Sequence, residues 1–338
     1  MDFMPRKSRI DTPLALHHII VRGIERGKLF IDDTDRNNFL ERMGGIISDT
    51  NTSCYAWALI PNHFHLLLRT GQVPVASVMS RLLTGHAGYF NRRHRRSGHL
   101  FQNRYKSILC QEDTYLLELV RYIHLNPLRA RLIKSFDLLR EYPFSGHSAL
   151  MGKNKNDWQD IDWILRLFSD RIGVARGRYH QFVEKGISMG RLKDLTGGGL
   201  IRSMGGWAAV KSMRQAKMFE KSDERILGDG DFVDQVLSAA EERMERTNLL
   251  ISKGYNLKMI AQRVCFLMGL EPSEIWKIGK ARGRVAARSL LCFWAVRELG
   301  MRMTDLSRRL NLSLTGVSQS VMRGERIAEA NGFKLLKK

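Results

Sequence analysis

Cys54-Tyr55-Ala56-Trp57-Ala58-Leu59-Ile60-Pro61-Asn62-His63-Phe64-His65-Leu66-Leu67-Leu68-Arg69 is the stretch on which the fold turns. Its aromatic and aliphatic content predicts a mostly buried strand or hairpin strand. Successive side chains of a strand point to opposite faces, so His63 and His65 share one face while Phe64, Leu66 and Leu68 take the other. Two imidazoles one strand period apart stand roughly 6 to 7 Å apart at Cα, a span one divalent ion can bridge. Taken alone, an H-x-H pair is more often a satisfied strand pair than a metal site, so its meaning depends on a partner element.

Residues 112–125 supply that partner. Leu116, Leu119, Val120 and Ile123 fall at i, i+3, i+4 and i+7, one core-facing stripe of an α-helix. Tyr115, Tyr122 and Asn126 cluster on one flank of the stripe, where a phenol can face a cleft. Pro127 disfavours the α conformation at Asn126, so the helix is expected to end there. His124 is expected to cap or pack near that end, where a cationic side chain suits the helix dipole.

Pro61-Asn62-His63-Phe64-His65, then Gly98-His99-Leu100-Phe101-Gln102-Asn103-Arg104-Tyr105, then Tyr122-Ile123-His124-Leu125-Asn126-Pro127-Leu128-Arg129-Ala130 follow in that order. The pattern resembles the single-tyrosine HUH transposases, in particular the REP-associated tyrosine transposase group, over roughly residues 10–150. The resemblance implies an α+β fold, an RRM/ferredoxin-like antiparallel sheet with helices on one face, acting on single-stranded or hairpin DNA. It implies His63 and His65 as paired metal ligands, Asn126 as a third, helix-borne ligand, and Tyr122 as the nucleophile. Tyr105 and Tyr115 are then packing or stacking residues.

The chemistry asks for these residue types. A phenol with a pKa near 10 is about one part in a thousand phenolate at neutral pH, a deficit of roughly 4 kcal/mol that a nearby cation or base must offset. Mg²⁺ or Mn²⁺ on the two histidines would polarise the scissile phosphate, Mn²⁺ matching imidazole at least as well. Attack would leave, as the resemblance implies, a 5′-phosphotyrosine and a free 3′-hydroxyl, with no need for ATP.

Composition points to a polyanionic partner. The chain carries 55 Lys+Arg against 34 Asp+Glu, a net charge of +21. Residues 1–150 contribute +8, residues 151–245 only +1, and residues 246–338 +12. Arg92, Arg93, Arg95 and Arg96 form a dense cluster which, with Arg104 and the aromatics Tyr89, Phe90 and Phe101, is a candidate surface for gripping phosphates and stacking bases. Cys54, Cys110, Cys265 and Cys292 show no C-x-x-C spacing, against a disulfide framework or structural zinc. Met1 to Ile10 has no signal-like apolar run behind it, and no stretch approaches about eighteen apolar residues, so a cytoplasmic protein without a membrane partner is expected.

The element order reads β-α-β-α-β-α over residues 1–150, with helices at 33–47, broken near Gly44-Gly45, and at 75–94. Residues 151–245 read as a helical, glycine-rich connector, with Gly186, Gly190, Gly197, Gly198, Gly199, Gly205 and Gly206 but no Walker pattern. Residues 246–338 read as all helix, with credible caps at Thr304 and Ser313 and helix-turn-helix spacing across Asn311-Leu312. This part is similar to the C-terminal DNA-binding domain of the bacterial initiator DnaA, including the basic loop Lys280-Ala281-Arg282-Gly283-Arg284. Ser313-Leu314-Thr315-Gly316-Val317 departs from that family's Asp-His-Thr-Thr-Val run, so its target sequence does not carry over. Thr315, Ser318 and Gln319 would then face bases, and Arg282, Arg284, Arg288 and Arg323 would hold phosphates.

The leading expectation is a metal-dependent DNA strand-cleaving and rejoining enzyme delivered to duplex by its C-terminal part, with a homodimer an open option. Its rival is a DNA-binding regulator that keeps the scaffold without the chemistry. RNA binding comes last, because the paired RNP-type aromatics are missing.

Overall fold

The computed structural model describes residues 10–12, 14–189, 195, 223, 225–277, 279, 281–301 and 303–336. Two compact units emerge, Met1–Gln235 and Val236–Lys338. Gly190, Gly197, Gly198, Gly199, Gly205, Gly206 and Lys280 lie outside the described residues, as does the side chain of Thr315. Among the described residues no helix is long and apolar enough to cross a membrane.

The first unit is built on a five-stranded sheet of β1 (Leu16–Arg22), β2 (Ser53–Ile60), β3 (His63–Arg69), β4 (Lys106–Cys110) and β5 (Ile226–Leu227), in the order β2-β3-β1-β4-β5. All neighbours are antiparallel except the β4–β5 pair. The stretch expected as a strand or hairpin strand forms both strands of a hairpin, because Pro61 and Asn62 turn the chain so that Ile60 pairs with His63. The Pro61 carbonyl accepts from the N–H groups of Leu29 and Phe30, and the Asn62 carbonyl from that of Gly23, which fixes the turn from outside.

Helices cover both faces of this sheet, not one as expected. Phe39, on α1 (Asp33–Thr50), meets the ring of Phe64 at 4.8 Å, while Tyr122, on α3 (Glu112–His124), meets that of His65 at 5.8 Å. Phe64 and His65 are strand neighbours and so face opposite ways. With nearly every residue of β1, β2 and β3 buried, two exposed faces would cost too much apolar surface, and α2 (Val75–Arg93) helps α1 cover the first.

The expected break in α1 does not occur; the helix runs through Gly44-Gly45, and Gly44 is the seat of Trp158. Past α3 a single turn, α4 (Asn126–Arg129), takes Pro127 into its first turn, where proline is tolerated, so the chain continues helically beyond Asn126. Then come α5 (Gly146–Leu150), α6 (Ile161–Arg166) and α7 (Ile172–Lys185). Ile164, Leu165, Ala175, Tyr179 and Val183 share one buried cluster with Leu119, Val120 and Ile123. Much of the stretch expected to be a connector thus belongs to the first unit's core, and β5 to its sheet.

The second unit is helical, as its periodicity suggests. It contains most of α8 (Gly230–Ser252), then α9 (Leu257–Met268), α10 (Arg282–Arg297), α11 (Met303–Leu310) and α12 (Leu314–Asn331), around Ile260, Leu290, Trp294, Leu306 and Val317. Ser313 caps α12, its hydroxyl accepting from the Gly316 N–H at 3.0 Å. Thr304 lies inside α11 and is not its cap.

A Cβ on Gly44 would come within 2.4 Å of Trp158 Cδ1, whereas one on Gly45 would meet nothing within 4 Å. Gly44→Ala should therefore cost about 1–3 kcal/mol of stability in a denaturant titration, and Gly45→Ala should add about 0.5–1 kcal/mol. Burial lowers the imidazole of His86 to about 4 and that of His147 to about 3. Both lie below the unfolded value of 6.5, so the unfolded chain takes up protons first on acidification. Stability from each is complete above pH 6.5 and should fall by up to about 1.4 kcal/mol per pH unit towards pH 4. A denaturation midpoint constant from pH 7 to 5 would contradict this.

Candidate functional site

β1 and β3 place a set of aromatic rings on the sheet face that α3 covers. The cross-strand pairs Arg22–His63, Ile20–His65 and His18–Leu67 put His18, His63 and His65 on that face. The His63 and His65 rings stand 5.4 Å apart at 79°. Tyr122 meets both His65 and His18 edge-on, at 5.8 and 5.9 Å. Strand alternation and helical phase therefore bring together the three residues that the sequence puts forward, His63, His65 and Tyr122, with the phenol half-buried and not sunk in the core.

The two histidines are held by their Nδ1 atoms. His63 Nδ1 lies 2.8 Å from Asn62 Oδ1, which only accepts, so Nδ1 carries a proton and donates it, leaving Nε2 as the nitrogen that a metal could take. His65 Nδ1 shares a hydrogen bond with His18 Nε2 at 3.0 Å. Burial, reinforced by His18, His63 and Arg22, holds the His65 imidazole well below its ordinary pKa, which keeps it in the neutral state a metal ligand needs. Two imidazoles on one strand face fit a divalent cation, Mn²⁺ at least as readily as Mg²⁺. Among the described residues no three His, Cys, Asp or Glu side chains converge as a complete ligand set. Asn126 turns its amide nitrogen to the Tyr122 carbonyl at 3.1 Å, one turn back along the chain. A cation held here would need oxygen ligands from that amide, from water or from phosphate.

The basic residues divide into exposed and engaged. Arg92, Arg95 and Arg104 are exposed. Arg96 is exposed and donates to the His99 carbonyl at 3.1 Å. Arg93 is bound to Asp32 and Asp35 at 2.7 and 2.6 Å, so it ties α2 to the start of α1 and is not an open phosphate contact. Burial works against the Asp35 charge, yet bonds from the Ile31 N–H, His94 and Arg93 outweigh it and lower the carboxyl's pKa. Phe90 is buried and cannot stack on bases, while Phe101 is half-buried beside His86. In the second unit Arg282, Gln319 and Arg323 are exposed and Ser318 is half-buried. Arg284 pairs with Glu274 at 2.7 Å. Arg288 is buried, donating to the carbonyls of Gly279 and Arg284, which makes it a strut and not a phosphate contact.

Sequence reasoning missed four residues of the site. His18 supports His65 and borders Tyr122. Arg22 and Lys106 are exposed cations on the same sheet face as the histidines, by the pairs Arg22–His63 and Ile20–Lys106. Arg129 lays its guanidinium over the Tyr122 ring, with Cζ 5.3 Å from the centroid. The alternation of Leu16–Arg22 is visible in the sequence, but the register that sets it beside β3 is not. His124, expected to cap or pack near the helix end, packs there: it is fully buried, and burial holds it well below its ordinary pKa, so it is not a cationic cap.

No curated protein matches the chain. A solved structure described as "Structure of the REP associates tyrosine transposase bound to a REP hairpin" aligns at 18% identity and a TM-score of 0.37, over 47% of this chain and 93% of that one. Residues 13–126 match the model of the family described as "Transposase IS200 like", a stretch that contains His18, His63, His65 and Tyr122.

Proposed function

We propose that the first unit is a metal-dependent single-strand DNA endonuclease and strand transferase of the transposase type, with Tyr122 as nucleophile, and that the second unit directs it to duplex DNA. The observation that carries the reading is the meeting of the Tyr122 ring with His65, on the face shared with His63, inside the segment that matches the transposase family.

In this reading the strand crosses the sheet face with its phosphates near Arg22 and Lys106, both exposed cations. Tyr122 attacks the phosphorus in line, the bond to the 3′ oxygen breaks, and the strand is left as a 5′-phosphotyrosine with a free 3′-hydroxyl. Mg²⁺ or Mn²⁺ on His63 and His65 would polarise a phosphate oxygen and ease the phenol's loss of its proton. Asn62 fixes the tautomer of His63, and His18 fixes the ring of His65. Because the covalent link conserves the phosphoester, a 3′-hydroxyl from another end can reverse the step and rejoin the strand. A single strand, or one extruded as a hairpin, is the substrate in this reading.

For the second unit, the exposed Gln319 and Arg323 on α12 and Arg282 at the start of α10 support a duplex-reading surface, α12 entering the major groove after the short turn from α11. The net charge of +12 over residues 246–338 favours such a partner.

Incubation of the full chain with a labelled hairpin oligonucleotide and Mn²⁺ should give a covalent adduct on a denaturing gel. Tyr122→Phe should abolish it, and chelation or His63→Ala should reduce it by at least about 10²-fold. Absence of an adduct across many palindromic substrates would refute the enzymatic reading. Gln319→Ala should weaken binding to a cognate duplex by about 1–3 kcal/mol while leaving the hairpin adduct intact; an unchanged duplex affinity would exclude α12 from base reading.

A further inference from the structure

The tyrosine helix is gripped from behind by a part of the chain outside the segment that matches the family. Three contacts run from α7 to the end of α3. Arg121 places its guanidinium over Phe182, with Cζ 4.5 Å from the ring centroid. His124 Nδ1 and His147 Nδ1 both lie 2.8 Å from the Tyr179 hydroxyl, in the interior. Gly186, at the end of α7, sits so close to α3 that a Cβ there would come within 2.5 Å of Arg121 Cδ and 2.9 Å of Leu125 Cδ1. Its φ of −73° is ordinary, so what this position demands is close approach and not a glycine backbone.

Arg129 joins this grip to the phenol. Its Nη2 donates to the Gly186 carbonyl at 3.3 Å, its Nη1 to the Tyr122 carbonyl at 3.4 Å, and its carbon lies over the Tyr122 ring. One planar guanidinium thus touches the backbone of residue 122, the ring of residue 122 and the last turn of α7. At 100° per residue Tyr122 points about 160° away from His124, so α7 can hold α3 firmly without entering the face where the phenol works. A short ammonium could not make the forked contact.

We propose that Arg129 is a positioning residue for Tyr122, and that α7, through Gly186, is a brace that sets the aim of the phenol. The inference rests on Tyr122 being the nucleophile, and it extends the functional site to residues 172–186. The bland alternative is that α7 only completes the core. That alternative accounts for Tyr179 and Phe182 but not for a guanidinium laid across the ring and carbonyl of one particular tyrosine. In-line attack is sensitive to such aim, since a misplacement of about 1 Å can cost about 10²-fold in rate.

The test uses the full chain with two variants, Arg129→Met and Gly186→Ala, and Arg129→Lys as the conservative one. Under saturating hairpin and Mn²⁺, Arg129→Met should slow single-turnover adduct formation by about 10- to 100-fold, with hairpin affinity changed less than about 3-fold. Arg129→Lys should fall between, restoring charge but not the fork. Gly186→Ala, which leaves Arg129 in place, should slow the same step, and the double variant should lose no more than the worse single one, because both act through one contact. A rate equal to wild type in Arg129→Met, or a loss that follows hairpin affinity alone, would overturn the proposal. A second readout needs no catalysis: with 3-fluorotyrosine at position 122, the ¹⁹F resonance should shift and its ring-flip averaging should increase in Arg129→Met. An unchanged resonance would also overturn the brace. If the wild-type protein forms no adduct, the nucleophile reading fails by itself, and the fluorine signal still decides whether Arg129 holds the ring.

Discussion

A side chain in a strand cannot choose its face, and this constraint at β3 governs the first unit. Phe64 and Leu66 go to one side and must be covered, which α1 does through Phe39. His63 and His65 go to the other, where an unbroken apolar cover would leave imidazoles stranded. The cover on that side is accordingly graded. Leu119, Val120 and Ile123 of α3 seal the sheet, while Tyr122, off the apolar stripe, presents a ring that is apolar in body and polar at its tip. The site lies at the margin between sealed core and open face because the alternation forces polar and apolar residues onto adjacent positions of one strand.

Charge is handled by the same economy of placement. The chain has a large positive excess, yet several of its arginines are consumed internally, Arg93 on Asp32 and Asp35, Arg284 on Glu274, and Arg288 on backbone carbonyls. Several of the exposed basic residues stand in distinct places. Arg22 and Lys106 border the histidine face, Arg92, Arg95 and Arg104 lie along and beyond the end of α2, and Arg323 lies on α12. A basic composition therefore favours a polyanionic partner, while the place such a partner would occupy depends on where the basic side chains reach the surface.

The buried histidines follow a second rule. His86, His124 and His147 are neutral because water is excluded, and they serve as hydrogen-bonding spacers: His86 Nε2 on the Leu29 carbonyl, the other two on the Tyr179 hydroxyl. Residue type alone would have listed them with His63 and His65 as equal candidates. Burial and partners separate them.

The sequence by itself determined the elements and the reactive types: the alternation through His63 and His65, the helical stripe Leu116, Leu119, Val120 and Ile123 with Tyr122 beside it, the basic excess, and the helical second unit, because each is written in local periodicity and composition. The tertiary structure alone decided what depends on non-local register and approach. It set Arg22 beside His63 and His18 against His65, it packed Trp158 onto the bare backbone of Gly44 in α1, and it laid α7 and Arg129 behind Tyr122. These contacts join segments tens of residues apart, and no periodicity encodes which two surfaces will meet, since that is settled by burying the most apolar area with every polar group paired.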